Sequence, residues 1–534
     1  MRVRRFRRRF GAVAGLVLAA FVAGLAPAAG QGAQPAGAPS VTGAVQVTRN
    51  PDPNRGHTTP QIAVNPKTGE LVIGEGEVRT TRKCSVHISV DGGRSWFEGG
   101  DPMVKPFTDC TQQATNGHYI TFQFTPDGVL WAGFMGDDPA STLTLARADR
   151  PRNIYLARSE NSGRTWRTTL AYEGKAGDPG IGSSRRAMVA VDPSNPQHVY
   201  LGWQKGGAGS APTGVKRKAM IQASNDGGRT FGEPIDLSMD VGASQPKPVV
   251  DMNGVVHVTY ANDQFGVPAQ NPPGRTLWYQ RSSDNGRTWS PRVELDPGTP
   301  GFSFMRKQAI AADINTGAVY VTWYGASVAA PRRPPAGQPS TAEFDDREIF
   351  VRSSLDGGNT WLPSKIVNDD AERRNIQHYD SGISVAPNGR LDVAWYDFRN
   401  SPVPEREESG GNGGGATDVY YAYSTDGGRT YSTNVKVSDR LADRSIGLWS
   451  NNVHSHTNVA IASTDTAVYI AWQDTRNGSP TFQAEDIYFA AVRFPVPAEE
   501  DEGVPGWVLV GAAAAIGAGV TIVLGFLLNR RRTA

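Results

Sequence analysis

Apolar residues along this chain recur in short alternating runs, rich in Val, Ile, Tyr and Trp, separated by Gly, Pro, Asn and Asp. Period-two alternation bounded by turn residues predicts strands. No apolar pattern of helical period is sustained before Gly506. The strands come in units. Gly389–Arg399 followed by Asp418–Tyr431 matches Asn315–Tyr324 followed by Arg347–Trp361. Each unit has an apolar strand, a Pro/Gly/Asn turn, a strand ending in an aromatic, a variable loop, a third strand, a tight turn and a fourth strand.

The tight turn carries the pattern Ser-x-Asp-x-Gly-x-Thr/Ser-aromatic. It occurs at Ser89–Trp96, Ser159–Trp166, Ser224–Phe231, Ser282–Trp289, Ser354–Trp361 and Ser424–Tyr431. The acidic position holds Asp91, Asp226, Asp284, Asp356 and Asp426, with Asn161 in the second copy. An Asp or Asn side chain accepts hydrogen bonds from backbone N–H groups just ahead of it, while Gly adopts the positive φ that other residues resist. Six copies of a catalytic carboxylate make little chemical sense, so these residues are read as structural staples. Four strands per unit, with turns 58 to 72 residues apart, predict an all-β propeller.

After the sixth turn come three strands without a fourth, within 454–492. Ala44–Arg49 resembles the fourth strand Asn434–Asp439 and is expected to complete the last blade, giving seven blades. Six blades with a stray hairpin is the alternative. Closure of this kind leaves no sheet edge exposed.

The two ends change the picture. Residues 1–29, with six arginines, an apolar run and small residues, are expected to be a signal peptide, followed by a linker over 30–43. The propeller is placed at 44–494 and an acidic, Pro-containing linker at 495–505. Residues 506–528 are expected to cross the membrane once, with the basic tail 529–534 in the cytoplasm and the propeller outside. The formal charge of +2 includes nine arginines of the leader and tail, so the exported part is near −7. That argues against a nucleic-acid partner. Cys84 and Cys110, both exported, are expected to form a disulfide.

In an up-and-down blade, the second-to-third loops and the inter-blade links share the face opposite the Asp turns. The long loops fall there, and function tends to sit on such loops. Five histidines start inner strands on this face: His57, His118, His378, His454 and His456. Acid-x-Arg ends the second strand of three units, at Glu77-x-Arg79, Asp397-x-Arg399 and Asp474-x-Arg476. One reading gathers these residues into a polar pocket of blades six, seven, one and two that binds a divalent metal or supplies acids and bases. The other makes acid-x-Arg an ion pair that fixes each loop exit. No cofactor is required by either. Trp323, Trp395 and Trp472 are either sugar-stacking aromatics or inter-blade core.

The repeated turns resemble the Asp boxes of the sialidase-like, BNR-repeat propellers over roughly residues 44 to 493. The resemblance implies the fold. It does not fix an activity, because that superfamily includes sialidases, other glycoside hydrolases, sorting receptors and non-catalytic surface proteins. The family's Arg-Ile-Pro position corresponds to Thr58 in His57-Thr58-Thr59-Pro60, and no Asp lies between Arg79 and Val90, where an acid/base is expected. Glu75 and Glu77 are the nearby acids. Arg186 and Arg306 start inner strands and are candidates for an arginine set. Tyr379, beside Asp380, or Tyr396 is the candidate nucleophile. The candidate catalytic residues are thus Glu77, Asp380, Asp397, Asp474 and Tyr379. The candidate ligand-binding residues are His57, His118, Arg186, Arg306, His378, Arg399, His454, His456 and Arg476. The expectation is a membrane-anchored surface propeller that recognises a glycan or other surface polymer, with an exo-acting sialidase-type hydrolase and a protein-interaction scaffold as alternatives.

Overall fold

The computed structural model describes residues 37–80, 83–102, 120–137, 152–174, 187–205, 217–239, 242–262, 276–298, 308–326, 347–370, 376–402, 415–448 and 459–495. These fold into seven antiparallel sheets of four or five strands, a seven-bladed β-propeller. The inner strands are His57–Val64, Ile120–Phe124, Met188–Val191, Ala243–Val250, Ala309–Ala312, His378–Val385 and Ala460–Ser463, in blades 1 to 7. The predicted signal peptide, the predicted span at 506–528, Cys110 and the candidate residues His118, Arg186, Arg306, His454 and His456 lie outside the described residues. Among the described residues, no helix is long and apolar enough to cross a membrane.

Blade 7 is built from both ends of the chain. Val45 and Gln46 pair with Phe489 and Tyr488, as Val435 and Lys436 pair with Tyr421 and Tyr420 in blade 6. The similarity between the two fourth strands therefore reflects the same register. Pairing begins earlier than the sequence pattern indicates, because Ser40 and Val41 lie against Arg493 and Val492, inside the expected linker. A two-residue strand is too short to show alternation, which is why its apolar pattern did not reveal it.

The Asp boxes behave as their chemistry predicts. In the first, the Ser89 hydroxyl donates to Asp91 Oδ1 at 2.8 Å, and Asp91 accepts from the Ser95 amide and hydroxyl at 3.0 and 2.6 Å. Asn161 keeps the geometry by donating its own amide to Thr165 Oγ1 at 2.9 Å. The glycine two residues after the acidic position of each box has positive φ and packs on the preceding blade. A Cβ at Gly93 would meet the Phe489 ring of blade 7, one at Gly228 would meet Leu156 of blade 2, and one at Gly358 would meet Tyr279 of blade 4. The boxed aromatic adds to this: Trp96 sits edge-on to Phe489 at 5.2 Å and Trp361 edge-on to Tyr279 at 4.8 Å. Each box therefore closes its own turn and ties it to its neighbour.

The apolar core lies between adjacent blades, where facing rows of Val, Ile, Leu and aromatic side chains are removed from water. Trp323, Trp395 and Trp472 are fully buried there, so they are core and not stacking platforms for a sugar.

Candidate functional site

At the starts of the inner strands, blades 5, 6, 7 and 1 bring together buried polar side chains. Among the described residues, their hydrogen bonds and ion pairs form distinct clusters.

Asp397 and Asp474 occupy equivalent places. Trp395 Nε1 donates to Asp397 Oδ2 at 2.9 Å, and Trp472 Nε1 to Asp474 Oδ2 at 3.0 Å. The backbone N–H of Arg399 and of Arg476 donates to the other oxygen at 2.8 and 2.9 Å, and each guanidinium returns to the same carboxylate at 2.8 and 2.7 Å. Each arginine then reaches back to the preceding blade, Arg399 to Asp369 at 2.9 Å and Arg476 to Asp439 at 2.8 Å. Arg399 also lies over Tyr420 and Arg476 over Tyr488, both at 4.1 Å. The ion-pair reading therefore describes both motifs. Burial acts to raise the Asp397 pKa, but His378 and Arg399 overcome it and hold the carboxyl well below its ordinary range.

Blade 1 departs from this arrangement. Glu77 accepts from the backbone N–H groups of Gly56, Arg79 and Thr80 at 3.0 to 3.1 Å, while the Arg79 side chain donates to Gln483 O. With their oxygens engaged in this way, Glu77, Asp397 and Asp474 help to fix the loop exits of their blades.

His57 faces Glu75, its Nδ1 at 3.0 Å, and His87 Nε2 approaches the other Glu75 oxygen at 3.2 Å. One buried carboxylate thus bridges two histidines. Burial works against both charges, but their mutual attraction prevails: Glu75 is lowered to about 2 and His57 is raised. Sequence reading noted His57 and Glu75 without pairing them, because such a partnership depends on alternate positions of neighbouring strands facing the same side. His378 belongs to another cluster. Its Nε2 lies 3.2 Å from Asp370 Oδ1 and 3.4 Å from Asp397 Oδ2. Burial disfavours charge on His378, but the carboxylates of Asp397 and Asp370 push its pKa up to about 10. No hydrogen bond or ion pair joins His57 to His378 among the described residues.

Between these clusters runs a buried network that the sequence did not indicate. Gln473 donates through Nε2 to Glu485 Oε1 at 2.8 Å and accepts from the Thr59 N–H at 3.3 Å. Its own N–H donates to Tyr396 Oη at 2.9 Å, linking blades 6, 7 and 1. The Arg444 guanidinium covers the Tyr396 ring at 4.5 Å. Burial raises the Tyr396 hydroxyl well above its ordinary pKa and pushes Glu485 up to about 7. Tyr379 is wedged edge-on between Tyr324 and Phe398 at 5.5 and 5.7 Å, with Arg347 over it at 4.6 Å. The Tyr379 hydroxyl donates to Gln377 Oε1 at 3.5 Å.

Three inner strands share one irregularity. Thr59, Gln245 and Asp380 are each the third residue of the inner strand in blades 1, 4 and 6, with φ of +54°, +55° and +53°. In each, the register with the second strand shifts just there, between Thr58 and Gln61, Ser244 and Lys247, and Tyr379 and Gly382. Non-glycine residues rarely adopt this conformation, and a β-branched Thr hardly ever does.

No protein-family description matches the chain, and no curated protein sequence matches it. Solved structures do. A protein of unknown function from Dyadobacter fermentans shares 11% identity over 86% of this chain and 100% of its own, with a TM-score of 0.45. The α-L-arabinanase of Penicillium chrysogenum, complexed with arabinobiose, shares 11% over 85% of this chain and 99% of its own, at 0.42. The endosialidase of phage phi92 shares 11% over 86% of this chain and 70% of its own, at 0.43. Similarity at this level concerns the fold and transfers no residue role.

Proposed function

We propose that this chain is an exported propeller, held at the membrane by residues 506–528, that recognises a glycan or another surface polymer at the mouth ringed by the inner-strand starts. The observation that carries the reading is the repeated left-handed residue at Thr59, Gln245 and Asp380. Each such residue costs roughly 1–3 kcal/mol, and strain of this kind persists where side chains are re-aimed for a purpose. The residues at the three bulges, a Thr, a Gln and an Asp, are buried just inside the mouth, where the altered backbone sets which groups line it. The engagement of Glu77, Asp397 and Asp474 in the frame favours binding over hydrolysis.

The test is to expose the purified protein to a glycan array and to fluorogenic glycosides, alongside Gln245→Ala and Asp380→Asn. Retention on a defined set of glycans, weakened about tenfold or more in either variant and without turnover, is the expected result. Glycoside cleavage that disappears in Asp380→Asn would replace this reading with a hydrolase. Failure to retain any glycan would leave the scaffold alternative in its place.

A further inference from the structure

Blades 5 and 6 meet in a buried cluster that the proposed glycan reading does not use. Glu348 is the second residue of the strand Arg347–Ser354, Asp370 follows the outer strand Lys365–Ile366, and His378 opens the inner strand of blade 6. One donor atom from each lies within 4.8 Å of the other two. Glu348 and His378 are each 1% exposed, and the Asp370 side chain is 5% exposed.

The hydrogen bonds around the cluster leave a particular set of atoms over. His378 Nδ1 donates to Arg347 O at 2.5 Å, so Nε2 carries either a proton or a lone pair. The Asn368 amide donates to Glu348 Oε2 and, at 2.8 Å, to Asp370 Oδ1. Glu348 Oε1 and Asp370 Oδ2 are left without a hydrogen-bond partner, and His378 Nε2 lies off the hydrogen-bond line to its carboxylate neighbours. Buried anionic oxygens without partners are strongly disfavoured unless a positive species lies among them. Among the described residues, Arg399 is 3.8 Å from Asp370 Oδ1 and already serves Asp397 and Asp369. A proton on Nε2 reaches one oxygen and leaves the pair of carboxylates with one negative charge uncompensated. A divalent ion reaches all three atoms and leaves the three ligands and the ion together neutral.

We propose that Glu348 Oε1, Asp370 Oδ2 and His378 Nε2 bind one divalent transition-metal ion, of the kind represented by Zn2+ or Mn2+. Metal–ligand distances of about 2.0–2.2 Å place neighbouring donors roughly 3–3.5 Å apart. His378 Nε2 stands 3.2 Å from Asp370 Oδ1, the other oxygen of the proposed ligand, and donor atoms of the three residues lie within 4.8 Å of one another. An imidazole among only three protein donors favours these ions over Ca2+, which takes six to eight oxygens. The surroundings are those of a metal site: a backbone carbonyl fixes the imidazole tautomer, and a single amide orients both carboxylates. Bound there, the ion joins the third strand of blade 5, the link after its outer strand and the inner strand of blade 6.

The test uses the purified protein stripped with chelator and titrated separately with Zn2+, Mn2+ and Ca2+, following stoichiometry by elemental analysis and the thermal midpoint. One equivalent of Zn2+ or Mn2+ per chain with a raised midpoint is expected, together with at least a hundredfold weaker binding in Glu348→Gln and His378→Gln. Should either variant fail to fold, the visible spectrum of the Co2+-loaded wild-type protein reports whether a nitrogen–oxygen site is formed. Absence of stoichiometric binding, undiminished binding in folded variants, or a Co2+ spectrum identical to that of the aquated ion would each overturn the assignment.

Discussion

A carboxylate at the mouth of this propeller has its protonation decided by what stands within a few ångströms. Asp397 has an arginine, a histidine and an indole N–H, and remains ionised despite its burial. Glu485 accepts from the Gln473 amide and the Leu448 N–H, and although Arg444 and Arg79 oppose the shift, burial prevails and its pKa rises to about 7. The sign of the consequence follows from linkage. Between the ordinary carboxylate range and about 7, the folded protein holds a proton that the unfolded chain has released, so stability falls as pH rises through that window. We expect wild-type protein to lose up to about 3 kcal/mol through Glu485 between pH 4 and pH 8. Glu485→Gln should flatten that slope, as measured by urea midpoints at intervals of pH. An unchanged slope would show that Glu485 stays ionised. Neither fate was legible in the sequence, where Asp397 and Asp474 stood out by their motif and Glu485 had none.

At the scale of the element, the Asp box was legible almost completely, because the hydrogen bonds that form its turn lie within eight consecutive residues. Hydroxyl and amide donors of Ser95, Thr230 and Thr288 hold Asp91, Asp226 and Asp284 at about 2. What the local pattern did not contain is the neighbour, on the preceding blade, of the glycine two residues after the acidic position. Gly93 and Gly69 separate the two effects, since both have positive φ but only Gly93 lies against another side chain. Gly69→Ala should cost about 1–2 kcal/mol for its conformation alone. Gly93→Ala should cost about 2–4 kcal/mol, because its methyl group also displaces the Phe489 ring. Equal losses in denaturant unfolding would mean that the box does not staple blade 1 to blade 7. The acid-x-Arg motifs of blades 6 and 7, on the other face, repeat the arrangement with charges, each arginine binding its own blade and the exit of the one before.

For the molecule as a whole, stability depends on closing the ring. The first described residues supply the outer edge of the last blade, with Thr48 Oγ1 donating to Asp486 Oδ1 at 3.1 Å and Arg55 gripping Asp486 through two bonds of 2.7 Å. Removing residues 37–49 strips the outer strand from blade 7 and exposes the edge Asp486–Arg493. The thermal midpoint should fall by about 5 °C or more, with aggregation through the open edge. A midpoint equal to that of the intact chain would mean that the closing strand contributes little. The seventh blade was legible because Val45 and Gln46 sit in a sequence resembling the fourth strand of blade 6. The earlier pairing at Ser40 was not, because so short a strand has no periodicity to read.

Strand content, the repeat, the blade number and the turn chemistry were determined by the sequence alone, since alternation, glycine placement and side-chain-to-backbone hydrogen bonding act over a few residues. Only the tertiary structure decided which polar residues meet. It set His57 on Glu75 and His378 between Asp370 and Asp397, and it turned three tryptophans into core. Such partnerships join residues as far apart as Thr59 and Gln473, and they are chosen by the facing of strands in adjacent blades, which no local pattern encodes.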